Sequence, residues 1–297
     1  MKKTLLLGVL LLCALLAGAQ TKVAPKLVKG DKKTYTTESI INVAGQKELK
    51  MSSVGEISVI DQLADGYVLE LVTKKVESNT EADLVGRLMA VSEELTVNVP
   101  MRVQTDKDGH VLKMLNFSEV QQKTQAAISK IVDELIDQYP AAAMVSKDKI
   151  VEQLKTAISE KTLLSGFNAG TNPLVLNGKT ISMGAQEEYV NELGLKMKRM
   201  FFPAADGTIT ATSTMNTSKD DIKQMIIQQV ERLAPEQAEM VKQNIDMLIQ
   251  SGAAKFEITE KSVYTLNADG WLKSITTESE RNGMGQKSSQ KTTVTLQ

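Results

Sequence analysis

Cysteine is almost absent from this chain: 297 residues hold one, Cys13, and there is one histidine, His110. A disulfide framework is excluded, and so is a structural zinc site, which needs several Cys or His ligands. Aromatic residues are scarce, at 1 Trp, 5 Tyr and 5 Phe, which argues against sites built on stacked rings, as sugar and single-stranded nucleic acid sites commonly are. A net charge of −1 supplies no field for nucleic acid or for an anionic membrane. With 6 Pro and 18 Gly the chain is neither collagen-like nor of low complexity. What is there is a globular balance, 42% hydrophobic and 24% charged, at a size that supports a core without covalent staples. Past residue 16 no apolar run approaches the about 20 residues of a spanning helix.

The first twenty residues, MKKTLLLGVLLLCALLAGAQ, begin with Lys2 and Lys3, continue through an apolar run from Leu5 to Leu16, and end on Ala17-Gly18-Ala19. This is the pattern of a secretory signal peptide, residues 1–19, with cleavage expected after Ala19. A lipoprotein signal would place a small residue before Cys13, where Leu12 stands. Export to the periplasm or beyond is the expected localisation, and no transmembrane segment is expected in the mature chain.

Residues 20–297 read as one domain. Thr/Ser/Val/Ile-rich stretches over Tyr35–Val43, Leu49–Ile60 and Tyr67–Val76 predict strands, and Leu95–Val103 alternates with period two over nine residues. Pro100 lacks the N–H for a ladder and predicts an edge or a bulge there. Asp-Gly, suited to tight hairpins, recurs at Asp65-Gly66, Asp108-Gly109, Asp206-Gly207 and Asp269-Gly270. The stretches QTDKDGHVLK and TLNADGWLKS around two of these are alike, so two similar halves with a boundary near 165–172 are an alternative. Ser118-Glu119-Val120-Gln121 predicts a capped helix with the stripe Ile128, Ile131, Val132, Leu135, Ile136, ending at Pro140. A second helix is expected over Ser146–Leu163. A third begins after Ser218, and a fourth opens at Pro235 and ends by Gly252. Further strands are expected over Thr208–Asn216, Lys255–Leu266, Trp271–Ser279 and Lys291–Leu296. The predicted fold class is α+β: a curved antiparallel β-sheet, half-barrel-like, with two helical pairs packed on one face.

No catalytic, cofactor or metal site emerges. His110 follows a hairpin turn, where an exposed residue is expected. Aligning Gly109 or Gly270 with the obligatory glycine of a calcium loop puts Leu115 or Thr276 where the bidentate Glu belongs. Ser288 and Lys291 match S-x-x-K but precede a terminal strand rather than opening a helix. Glu187-Glu188 and Asp220-Asp221 are sequence neighbours that do not converge as paired acids, and Asp220-Asp221 suits a helix start. Trp271 and Phe201-Phe202 read as core. Met183, Met197, Met200, Met215, Met225, Met240 and Met247, all in the C-terminal half, suit core filling or an adaptable apolar cavity.

The leader ending in AGAQ, the early LVKGDKKTYTTES, the aspartyl-glycine hairpins and the late NADGWLKSITTES resemble small exported proteins of Bacteroidota, which bring no catalytic signature with them. The predicted architecture is also loosely similar to the lipoprotein-carrier half-barrels of the periplasm. That likeness implies acyl chains bound on an apolar concave face. The expectation is a non-enzymatic envelope protein, without cofactor, that binds a hydrophobic small molecule or lipid on a helix-covered sheet. An interaction or scaffold protein docking on another envelope protein is the alternative, and a hydrolase the second alternative. A sizeable apolar cavity favours the first reading; a filled core with an exposed apolar helix face favours the second; a polar cleft joining Lys to Ser or Asp favours the third.

Overall fold

The computed structural model describes residues 20–79, 94–138, 147–191, 194–233, 235–250, 256–283 and 286–297. The leader, Cys13, Pro140, Ser146 and Gly252 lie outside them. The molecule is mostly antiparallel β. After a short β1 (Thr21–Lys22) come β2 (Lys32–Val43), β3 (Leu49–Gln62), β4 (Gly66–Ser78), β5 (Met101–Asp106) and β6 (Val111–Met114). Helices α1 (Phe117–Gln138), α2 (Lys147–Ala157) and α3 (Glu160–Gly166) follow, then β7 (Thr180–Ile181), β8 (Gln186–Val190), β9 (Lys196–Pro203) and β10 (Ile209–Met215). The chain ends with α4 (Lys219–Leu233), α5 (Pro235–Gln250), β11 (Phe256–Leu266), β12 (Leu272–Gly283) and β13 (Gln286–Leu296).

Eleven strands form one open sheet in the order β6-β5-β4-β3-β2-β13-β12-β11-β10-β9-β8, every pair antiparallel, while β1 and β7 pair separately. The two meanders β2–β6 and β8–β13 are thus joined where the first strand meets the last. Following strand directions, all four Asp-Gly turns fall at one end of the sheet, and the α4–α5 connection falls at the other. The strand alternation is clean: on β2, Tyr35 and Ile41 are buried on one face, while Lys32, Glu38 and Asn42 face solvent.

The edges are β6 and β8, so the chain between them has to travel from one edge of the open sheet to the other. That crossing, not the helical pairs, covers one face of the sheet. Phe167, Leu174, Val175, Leu176 and Ile181 from the crossing pack with Val23 and Leu27 on Tyr35, Ile57, Leu69, Val103, Phe201, Ile209, Tyr264, Trp271 and Val294. The predicted placement of both helical pairs on one face is therefore corrected. The stripe Val120, Ile128, Val132 of α1 closes on Ile150, Leu154 and Ile158 with Leu95, Val99 and Met101. The stripe Ile222, Ile226 of α4 closes on Ile245 of α5 with Met215. Each pair buries its apolar side on its partner and touches the sheet at a strand end, Met101 or Met215.

Three local expectations also change. Leu95–Val103 is not one strand: β5 begins at Met101, because Asn98 sits at φ 58° and Pro100 cannot bond. The predicted second helix breaks at Ile158–Ser159, where the Ser159 side chain accepts from the Thr162 N–H and starts α3. Helix α1 starts before Ser118, at Phe117; the Asn116 amide is held by the Arg102 N–H and the Pro100 carbonyl, tying the helix start to β5.

At the Asp-Gly end the N-terminal segment straps the turns. Lys26 N donates to the Asp269 carbonyl, Trp271 Nε1 donates to the Lys26 carbonyl, and Lys33 pairs with Asp269 at 2.8 Å. Partial burial pushes the Asp269 carboxyl up, but hydrogen bonds from Lys33 and the Trp271 N–H, with the Lys33 charge, outweigh it and hold the group below its ordinary range. A depressed folded pKa contributes stability that is present above the unfolded value of about 3.9 and is lost as pH falls through the folded one. Asp269→Asn is therefore expected to flatten the acid limb of thermal stability below about pH 4. Superimposable acid limbs for the two proteins would refute that linkage.

Candidate functional site

Beyond the apolar fill, toward the far end of the sheet, the covered face changes character. Successive cross-strand rows read Ser39, Thr292, Thr277, Ser262, then Gln290, Ser279, Glu260, Ser213, Arg199, Glu187. The hydroxyls form a ladder: Ser39 bonds Thr292 at 2.9 Å, Gln290 donates to Thr292 at 3.1 Å, and Ser262 bonds Thr277 at 3.0 Å.

One side of this band is an ionic anchor for the crossing segment. Arg199 is 0% exposed. Its Nη1 donates to Glu187 at 2.9 Å and its Nη2 to the Asn168 carbonyl at 2.7 Å, and its guanidinium lies 4.2 Å from the Tyr189 ring centre. Desolvation pulls the guanidinium down, but the tyrosines and carboxylates that face it, Glu187 and Glu260 among them, hold it above its usual value. Lys179 reaches the same Glu187 carboxylate at 2.6 Å; burial pushes this amine down while Glu187 pulls it back up. Burial likewise pushes the Tyr264 phenol up to about 12. The crossing chain is thus held at both Asn168 and Lys179. Between them Gly170 sits so close to the sheet that a Cβ there would lie 2.3 Å from Glu260 Oε1 and 2.8 Å from Ser262 Oγ.

The turn at 169–173 divides the far half of the covered face. On one side is a cleft of about 220 Å³ walled by Thr37, Ser39, Ser53 and Asn172. On the other is a cleft of about 230 Å³, smaller than the about 300–1,000 Å³ of drug-sized sites. Its lining includes polar Thr277, Ser279, Thr292, Gln290, Asn191 and Glu260 and apolar Met197 and Ile258. Ser279 is 6% exposed, and its Oγ is buried with no hydrogen-bond partner. The apolar part of the lining is not isolated: Leu195, Met197 and Ile258 form a cluster with Met215, which also packs into the α4–α5 pair. A more open hollow of about 640 Å³ at the far end of β2 and β11–β13 carries Asn42, Glu257, Glu280 and Lys287, from the solvent-facing parity of the strands.

The residues singled out from sequence disperse. His110 is exposed, with its N–H bonded to Asp106 Oδ1. Asp106 and Asp269 use their carboxylates to close their own turns, and no cluster of three metal-ligating side chains occurs among the described residues. Ser288 and Lys291 are on opposite faces of β13, and Lys291 pairs with Glu278. Glu187 and Glu188 also part: the first joins Arg199, the second points outward to Asn216. Asp221 stands at the start of α4, paired with Lys196. Trp271 and Phe201 are core, 1% and 3% exposed, but Phe202, also read as core, alternates to the other face of β9 and is exposed. Of the methionines, Met197 lines the cleft, while Met183, Met240 and Met247 are exposed. Sequence reasoning missed Arg199 and Ser279. The alternation Met197, Arg199, Phe201 in KMKRMFFP carried a signal for the first; nothing distinguished Ser279 among many strand serines.

No protein-family model matches the chain, and no curated protein matches it. Among solved structures the chain is similar to one described as lipid-protein interactions in lipovitellin. The TM-score is 0.40 at 9% identity, over 92% of this chain and 25% of that one. The chain thus spans about a quarter of that protein's length. None of the described helices is long and apolar enough to cross a membrane.

Proposed function

We propose that this is a non-enzymatic, exported binding protein of the envelope that holds an amphiphilic, lipid-like ligand at the far end of its curved sheet. The observation that carries this reading is the mixed lining of the cleft, polar Thr277, Ser279, Gln290 and Thr292 beside apolar Met197 and Ile258. The apolar part continues through Met215 to the α4–α5 pair. The apolar face nearer the sheet centre is occupied by the chain's own residues 167–181, so an acyl chain has its route along Met197 and Met215, not across the sheet centre. Flexible thioethers adapt to chains of different shape.

Native mass spectrometry of protein purified from its own periplasm is expected to show co-purifying lipid-sized mass, and the delipidated protein to bind a fluorescent fatty acid. Clean apo protein together with no such binding rejects the proposal. A second reading, a scaffold that docks on another envelope protein, is favoured by Met240 and Met247, 58% and 67% exposed and seven residues apart on one side of α5. Under that reading, which has no small ligand, no lipid-sized mass co-purifies and Met240→Lys abolishes association with the partner.

A further inference from the structure

We infer that the cleft beneath residues 169–171 is a subsite for an uncharged, polyhydroxylated group about the size of one sugar ring, which Ser279 recognises. This rests on the amphiphile reading and specifies its polar end. Ser279 is nine-tenths buried, and its hydroxyl has no partner within the protein. Such a group is costly unless something bonds it, and this one lines a cavity of about 230 Å³.

The chemistry of the walls selects the class. A hydroxyl both donates and accepts. The walls offer both in a mixed pattern: donors from the Gln290 amide and the Arg281 guanidinium, acceptors from the Glu260 carboxylate, and the two-way hydroxyls of Ser279, Thr277 and Thr292. A ligand rich in hydroxyls meets such a wall at any register. A charged head meets it badly. Glu260 faces the Arg199 charge, Arg199 is bonded to Glu187, and Glu187 is shared with Lys179. Of the charged groups around the cleft, Glu260, Arg199, Glu187 and Lys179 therefore already face opposite charges, and an anion or cation added beside them would lose its hydration without gaining a counter-ion. Ring stacking does not contribute on the side of Tyr189 that the Arg199 guanidinium covers at 4.2 Å.

The test titrates the mature protein by calorimetry with octyl glucoside, octanoate and octyltrimethylammonium, all below micelle-forming concentration, and with methyl glucoside as the chain-free sugar. The expected result is tightest binding of octyl glucoside, weakened about tenfold by Ser279→Ala and restored by Ser279→Thr, with octanoate binding indifferent to both substitutions. Equal binding of all three amphiphiles with no effect of Ser279→Ala overturns the head-group inference and leaves the amphiphile reading standing. Equal binding of methyl glucoside and octyl glucoside, with octanoate excluded, supports the hydroxyl-rich subsite, assigns it to a free saccharide and overturns the amphiphile reading. No binding of any probe overturns both.

Discussion

Replacing Arg199 with methionine is expected to lower the thermal midpoint by about 5 °C, from a loss of about 3 kcal/mol. The substitution keeps an apolar stem of similar length, so the loss isolates the guanidinium. Without it, the Asn168 carbonyl loses its donor at 2.7 Å, and Glu187 keeps only Lys179. Of the two ionic anchors of the crossing segment, only Lys179 then remains. Adding Glu187→Gln to Arg199→Met is expected to recover part of the loss, because an uncompensated carboxylate disappears with it; a double-mutant cycle reads that coupling. An unchanged midpoint in Arg199→Met would mean that the crossing segment is held elsewhere.

Gly66→Ala is expected to cost at least about 3 kcal/mol in urea unfolding, at the upper end for overpacking. A Cβ on Gly66 would lie 1.8 Å from the Thr105 carbonyl oxygen and 2.8 Å from its carbon. Both are backbone atoms, so no side chain can swing aside, and β4 has to part from β5. The loss should appear as faster amide exchange in β5 and β6, which depend on β4 for attachment to the sheet. Gly55→Ala is the control: nothing lies within 4 Å of its added carbon, and its effect should stay within about 0.5 kcal/mol. Equal stability of the Gly66 and Gly55 variants would contradict the close approach of β4 and β5.

These two residues mark what a single sequence displays and what it hides. Strands such as Lys32–Val43 and Phe256–Leu266 were legible because Thr, Val and Ile at period two describe a surface with one wet side. The Asp-Gly hairpins were legible as turns, since Asp carboxylates at 106 and 269 bond the turn amides beside them. The helices were legible from stripes such as Ile222, Ile226 and Ile245. What those stripes pack against was not, because an apolar face fits a neighbouring helix as well as it fits a sheet. That ambiguity produced the expectation of helices on the sheet, where the structure uses residues 167–181, a turn-rich stretch with little period of its own. The cleft was hidden for a related reason. It forms where Gly170 of one segment approaches Glu260 and Ser262 of a strand about ninety residues later in the chain, and local pattern carries no trace of a contact at that separation.

The most direct test places a bound amphiphile on the protein through its methionine methyl groups. With methyl-labelled methionine, titration by octyl glucoside should shift the Met197 and Met215 resonances, in the cleft lining and its continuation, and leave Met114, buried near the opposite edge of the sheet, in place. Shifts confined to exposed Met240 and Met247, or none at Met197 at saturation, would contradict the account.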